Sequence, residues 1–172
     1  GAWKNLVAHD EAVRRANLDY ACHQLALGDE MGAGAVVAYL GTVGHVGDPW
    51  QLSSNYDYGP HPDNQSEAGF QRAVATARYV IDTVKPKRCK FSLEMVQWLV
   101  TDTPQNYLRL LKAIDRPMFG AHIDAVNMVI SPRLYFNSGQ MIRECFDLLG
   151  PWIVSAHAKD IVMQGGPGNV CF

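Results

Sequence analysis

Three apolar runs in this chain each close on a side chain that can hold a metal or move a proton. "KFSLEMVQW" carries Glu94 at that point, "MFGAHIDAVN" carries Asp124, and "WIVSAHAKD" carries His157. Two carboxylates and an imidazole brought to one point form a donor set for a divalent cation such as Mn2+, Mg2+, Co2+ or Zn2+. Manganese is the first expectation. One acid at a strand end more commonly caps a helix or pairs with a base. Three in succession, each with ligand chemistry, point to a shared site.

Other residues stand close to these in sequence. His122, two before Asp124, is either a second imidazole near the cation or a core histidine with satisfied nitrogens. Asn127 can bond a substrate hydroxyl or cap a turn. Lys159 either faces a substrate or pairs with its neighbour Asp160, the ion pair being the first expectation. Trp50 and Trp98 are candidates for the wall of a sugar site, although core packing is the ordinary role of tryptophan. His122, Asn127, Lys159 and Trp98 thus form the candidate substrate-binding set. His45, in a glycine-rich loop, is a candidate acid/base group beside Glu94.

The elements that must carry these residues follow from spacing. Glu94 and Asp124 are 30 residues apart, and Asp124 and His157 are 33 apart. Repeats of this length read as strand–helix units with parallel strands and crossover helices. Short apolar runs predict strands at 35–40, 90–94, 118–124 and 152–157. Helical patterns occupy about 10–31, 66–84, 103–114 and 138–149. In the first helix, Val13, Ala16, Leu18, Cys22, Leu25 and Leu27 are expected to share a face, and Gly32 to end it. Residues 41–65 form a long loop rich in Gly, Pro, Asp and Asn, of the kind that is usually functional or mobile.

Alternating strands and helices mean an α/β fold. An open nucleotide-binding sheet should show a glycine-rich turn leading into a helix, but "GTVGHVG" leads into proline and the long loop. A (β/α)8 barrel instead places its chemistry at the carboxyl ends of its strands, where these three residues lie. Side chains two apart share a strand face, which groups Ser92 with Glu94, Gly120 and His122 with Asp124, and Ser155 and His157 with Lys159.

Composition narrows the function classes. At 172 residues, with 48% hydrophobic and 19% charged content, the chain reads as one globular domain, 1–172. A formal net charge of −2 provides no electrostatic footprint for nucleic acid or an acidic membrane surface. No apolar run approaches the ~18 residues that span a bilayer, and no leader pattern opens the chain. The four cysteines, Cys22, Cys89, Cys145 and Cys171, are scattered without CxxC spacing, as expected of reduced thiols in a cytoplasmic protein.

The stretches "FSLEMVQW", "RPMFGAHIDAVNM", "YFNSGQMIRECFDLLGPWIVSAHAKDI" and "GPHPDNQSEAGF" resemble the sugar phosphate isomerase/epimerase family of xylose isomerase-like TIM barrels. The resemblance implies a metal held by a glutamate, an aspartate, a histidine and a second glutamate. The first three map onto Glu94, Asp124 and His157, and the fourth is expected beyond Phe172. On this reading the chain covers barrel strands four to seven, opening in the loop and helix after strand three, and the rest of the barrel or a second copy is an expected partner. Two positions depart from the ketose 3-epimerases. Asn127 stands where they carry a histidine, and Met163 where they carry an arginine, which argues against a free ketose as substrate.

The implied activity is proton transfer next to the carbonyl of a sugar or sugar-like molecule, through a metal-stabilised enediolate. Glu94 would carry the proton, Asp124 and His157 would hold the cation, and His45 would be the reserve base. Two alternatives remain open. One is a metal-dependent lyase that cleaves a 3-keto glycoside with His45 as acid/base; the other is a non-catalytic binding barrel.

Overall fold

The strands Ala35–Ala38 (β1), Lys90–Glu94 (β2), Phe119–Ile123 (β3) and Ile153–Ala156 (β4) form one parallel sheet in the order β1-β2-β3-β4. The structure is a computed structural model that describes residues 2–45, 47–49, 58–166 and 169–171, excepting side chains from 165 onward. The helices Glu11–Met31 (α1), Glu67–Val84 (α2), Pro104–Ile114 (α3) and Ser138–Leu149 (α5) cover one side of the sheet, each packed on the next. A short helix, Pro132–Phe136 (α4), precedes α5 and lies where the sequence suggested none. The architecture is four strands of an incomplete (β/α)8 barrel with their helices.

Three of these helices, α1, α2 and α3, start at a side-chain cap. Asp10 accepts from the Val13 N–H (2.9 Å), Ser66 Oγ from the Gly69 N–H (3.1 Å), and Thr103 Oγ1 from the Asn106 N–H (3.1 Å). Such caps satisfy amides that have no partner within the helix. Gly32 ends α1 at φ 74°, as the sequence predicts.

The two faces of the sheet differ. Phe91, Leu93, Phe119, Ala121 and Ile123 are buried, alternating along β2 and β3 with residues of the other face, and the Phe91 and Phe119 rings lie 6.3 Å apart. The alternate positions, Ser92, Glu94, Gly120 and His122, belong to the barrel-interior face. The stripe that α1 buries is Leu18, Ala21, Cys22, Leu25 and Gly28. Val13, Ala16 and Leu27 are exposed, because the apolar spacing there runs ahead of the face that the sheet covers.

Register places the site. Glu94 is opposite His122, and His122 is opposite Ser155. Between β3 and β4 the pairing shifts, from Ala121 opposite Ile153 to His122 opposite Ser155, so one extra residue, Val154, is accommodated. Unshifted, the ladder would set Val154 against His122 and turn Ser155 and His157 to the other face. Gly120 makes room for the bulge. A Cβ there would meet Val154 Cγ1 at 2.5 Å and the Trp152 carbonyl at 3.1 Å.

At the other edge, the opening residues do more than form a loop. Ala2 pairs in parallel with Ala38, and its N–H donates to the Val37 carbonyl (2.9 Å). A two-stranded antiparallel hairpin, Gln164–Gly166 (β5) and Asn169–Cys171 (β6), follows the sheet, where the sequence suggested no strand. Cys22, Cys89 and Cys145 are free and buried; the side chain of Cys171 lies outside the described residues. Among the described residues no helix is long and apolar enough to cross a membrane.

Candidate metal centre

Glu94 is the last residue of β2, Asp124 directly follows β3, and His157 directly follows β4. The His157 N–H donates to the Ile123 carbonyl (2.9 Å), which carries the ladder one residue past β4 and fixes the histidine beside Asp124. One ligand atom from each of Glu94, His122, Asp124 and His157 lies within 4.8 Å of the other three. His157 Nδ1 is 2.9 Å from Asp124 Oδ2 and 3.5 Å from Glu94 Oε1. The three strand-end residues picked out in the sequence therefore converge.

Lys159 joins them. Its Nζ pairs with Asp124 Oδ2 and lies 3.9 Å from Glu94 Oε1. This corrects the expected pairing with Asp160, whose Oδ1 instead accepts from the Ile161 N–H (2.8 Å). The reason is burial: Lys159 reaches the same oxygen of the buried Asp124 carboxylate as His157, and a buried charge needs a partner where the exposed Asp160 has water. Asn127 Nδ2 donates to Glu94 Oε1 (3.2 Å) and to the Met95 carbonyl (3.0 Å), holding the glutamate in place.

The electrostatics of the two acids diverge. Burial, and then the adjacent Asp124, hold the Glu94 carboxyl above the usual carboxylate range. Burial pushes Asp124 up as well, but Lys159, Glu94 and His157 outweigh it and hold that carboxyl below the usual range. The His122 ring is kept neutral chiefly by burial, then by His157, its pKa pushed down to about 4.

Two atoms test whether a cation fits. Asp124 is 0% exposed and His122 2%, yet Asp124 Oδ1 and His122 Nε2 have no hydrogen-bond partner among the described residues. A buried polar atom without a partner costs about 1–3 kcal/mol. A divalent cation accepted by oxygen and imidazole donors would satisfy both atoms, so the residues fit the group.

Beside the cluster lies a cavity of about 340 Å3, lined by Glu94, Asn127, Lys159, Tyr39, Tyr58 and Trp3, among others. Trp98 stands behind this wall: its Nε1 donates to the Tyr39 hydroxyl (3.2 Å), and its ring meets Tyr58 edge-on at 4.8 Å. Sequence reasoning passed over both tyrosines, which carry no local signal. It also passed over Tyr107, whose hydroxyl donates to the Leu93 carbonyl and accepts from the His122 N–H (3.1 Å).

His45 is not brought to the cluster. It lines a different cavity with His9, His61 and Arg72, and its Nδ1 is 3.3 Å from Asp48 Oδ1. His122 stands among the donors and does not line the cavity beside Glu94. Trp50 lies outside the described residues.

The signature of the xylose isomerase-like TIM barrel matches residues 2–169. The chain belongs to this family. No curated protein matches the sequence. Among solved structures, a xylose isomerase-like TIM barrel protein from Mycobacterium smegmatis in complex with magnesium is 20% identical, with a TM-score of 0.61. The match covers 92% of this chain and 49% of that one. D-allulose 3-epimerase from Methylomonas sp. is 16% identical with a TM-score of 0.59, covering 86% of this chain and 46% of that one. A xylose isomerase domain protein from Planctomyces limnophilus is 16% identical with a TM-score of 0.58, covering 88% and 45%. At these identities the likeness is one of fold, and the chain spans about half the length of each of these structures.

Proposed function

We propose that this chain carries the metal-holding part of a divalent-metal-dependent isomerase or epimerase acting on a sugar or sugar-like substrate. The observation that supports it most is the convergence of Glu94, Asp124 and His157 from three successive strand ends beside an open cavity. Family membership and the sharing of the fold with D-allulose 3-epimerase and L-ribulose 3-epimerase are consistent with it.

Glu94, Asp124 and His157 would hold the cation, with manganese as the proposed ion. When bound, it would supply the polarisation that acidifies a carbon next to a carbonyl. Glu94 is placed to accept and return the proton. It lines the cavity, where a carboxylate can take up a proton and return it. Asn127 fixes one of its oxygens, and Lys159 provides positive charge beside both acids. Tyr39 and Tyr58 offer aromatic surface to the apolar side of a sugar. The lyase alternative assigns acid/base work to His45, and no contact with the cluster favours that assignment.

Glu94→Gln tests the reading. With a panel of sugars and their phosphates, loss of activity and of solvent-deuterium exchange next to the carbonyl is expected, at 10²-fold or more, with an unchanged circular dichroism spectrum. Exchange at the wild-type rate would sink the assignment.

A further inference from the structure

Of the four residues whose donor atoms converge, His122 has no role in the proposed reaction. It comes from mid-sheet, two positions before Asp124 on the same face, opposite Glu94 on one side and Ser155 on the other. Its Nδ1 lies 2.8 Å from Ser155 Oγ, while its Nε2 is buried without a partner among the described residues. The backbone N–H of the same residue is held by the fully buried Tyr107 hydroxyl. The backbone is thus held by Tyr107 and the ring by Ser155, with the second ring nitrogen left without a partner among the described residues. One donor atom of this residue lies within 4.8 Å of those of the other three.

That is the arrangement of a metal-binding histidine. Such residues usually bond the other ring nitrogen to an oxygen, which sets the tautomer and leaves the ligating lone pair free. A core histidine with satisfied nitrogens would have a partner for Nε2. A substrate-binding histidine would reach the cavity wall, which His122 does not.

We propose that His122 Nε2 is a protein ligand of the cation, alongside Glu94, Asp124 and His157, with Ser155 orienting the ring. This rests on the metal-site reading above and extends it. Two imidazoles and two carboxylates form a mixed nitrogen–oxygen set, which suits Mn2+, Co2+ or Zn2+ better than Mg2+, an ion that favours oxygen alone. The bulge at Val154 then has a chemical purpose, since it puts Ser155 behind one imidazole and His157 beside the other.

Titration of the full chain with Co2+, followed by calorimetry and visible absorption, tests this without reference to activity. The wild type is expected to bind one Co2+. His122→Gln should weaken that binding at least tenfold and alter the absorption spectrum, with a smaller loss for Mg2+. X-ray absorption at the cobalt edge of the wild-type chain should count two imidazoles, a result that does not depend on any variant folding. Unchanged affinity and spectrum in His122→Gln, or a single imidazole in the wild type, would remove His122 from the ligand set and leave the three-residue site standing. A wild type that binds no Co2+, or an Asp124→Asn chain that binds it as tightly, would overturn the metal site itself.

Discussion

Asp124 and Glu94 are both acids at the ends of neighbouring strands, and their neighbours set them apart. Asp124 meets Lys159 and His157 and its carboxyl is held below the usual range, whereas burial and the neighbouring Asp124 hold that of Glu94 above it. The titration of His122 has a consequence for stability. In the unfolded chain a histidine takes up a proton near pH 6.5, while in the fold burial lowers that to about 4. Between those values the unfolded state binds more protons, so stability is full above pH 6.5 and is lost as pH falls towards 4. Denaturant unfolding of metal-free protein should show about 2–3 kcal/mol of this loss between pH 7 and 4.5, absent in His122→Gln. An equally steep fall in the variant would place its origin elsewhere.

Two strand-level features were legible in different degrees. The alternation of Ser92 with Glu94 and of His122 with Asp124 is written in the sequence, because a strand has a fixed period of two. The bulge at Val154 is not. Nothing local in "PWIVSAHAKD" says that β4 slips by one residue against β3, since the slip is set by Gly120 on the neighbouring strand. Gly120→Ala should therefore act at a distance. It is expected to destabilise the fold by about 1–3 kcal/mol through the clash with Val154 and to weaken Co2+ binding, as His157 and Ser155 lose their register. Thermal melts and metal titration check the two effects separately. Loss of stability with unchanged affinity would show that the ligands do not depend on the bulge. Helix caps belong to the same scale. Thr103→Ala should cost about 1 kcal/mol by denaturant unfolding, with no effect on metal affinity.

Across the chain, the sheet has helices on one side and the polar interior of a barrel on the other, with the donors gathered at one rim. A ligand that binds only the folded state adds stability by mass action, about 2.7 kcal/mol at a hundredfold excess over its dissociation constant. Mn2+ at that level should raise the melting temperature, a chelator should reverse the rise, and Asp124→Ala should abolish it. A melting temperature indifferent to Mn2+ would count against a cation held by this sheet.

Strand and helix alternation, the barrel class and the three candidate ligands at strand ends could all be read from residue order. They depend on periodicity and spacing, which are properties of the chain itself. The pairing of Lys159 with Asp124, the placing of His45 at a different cavity, the tyrosine wall backed by Trp98 and the lack of a partner for His122 Nε2 among the described residues could not. Each depends on which distant segments meet and in what register, and that is set when the sheet and its helices pack together.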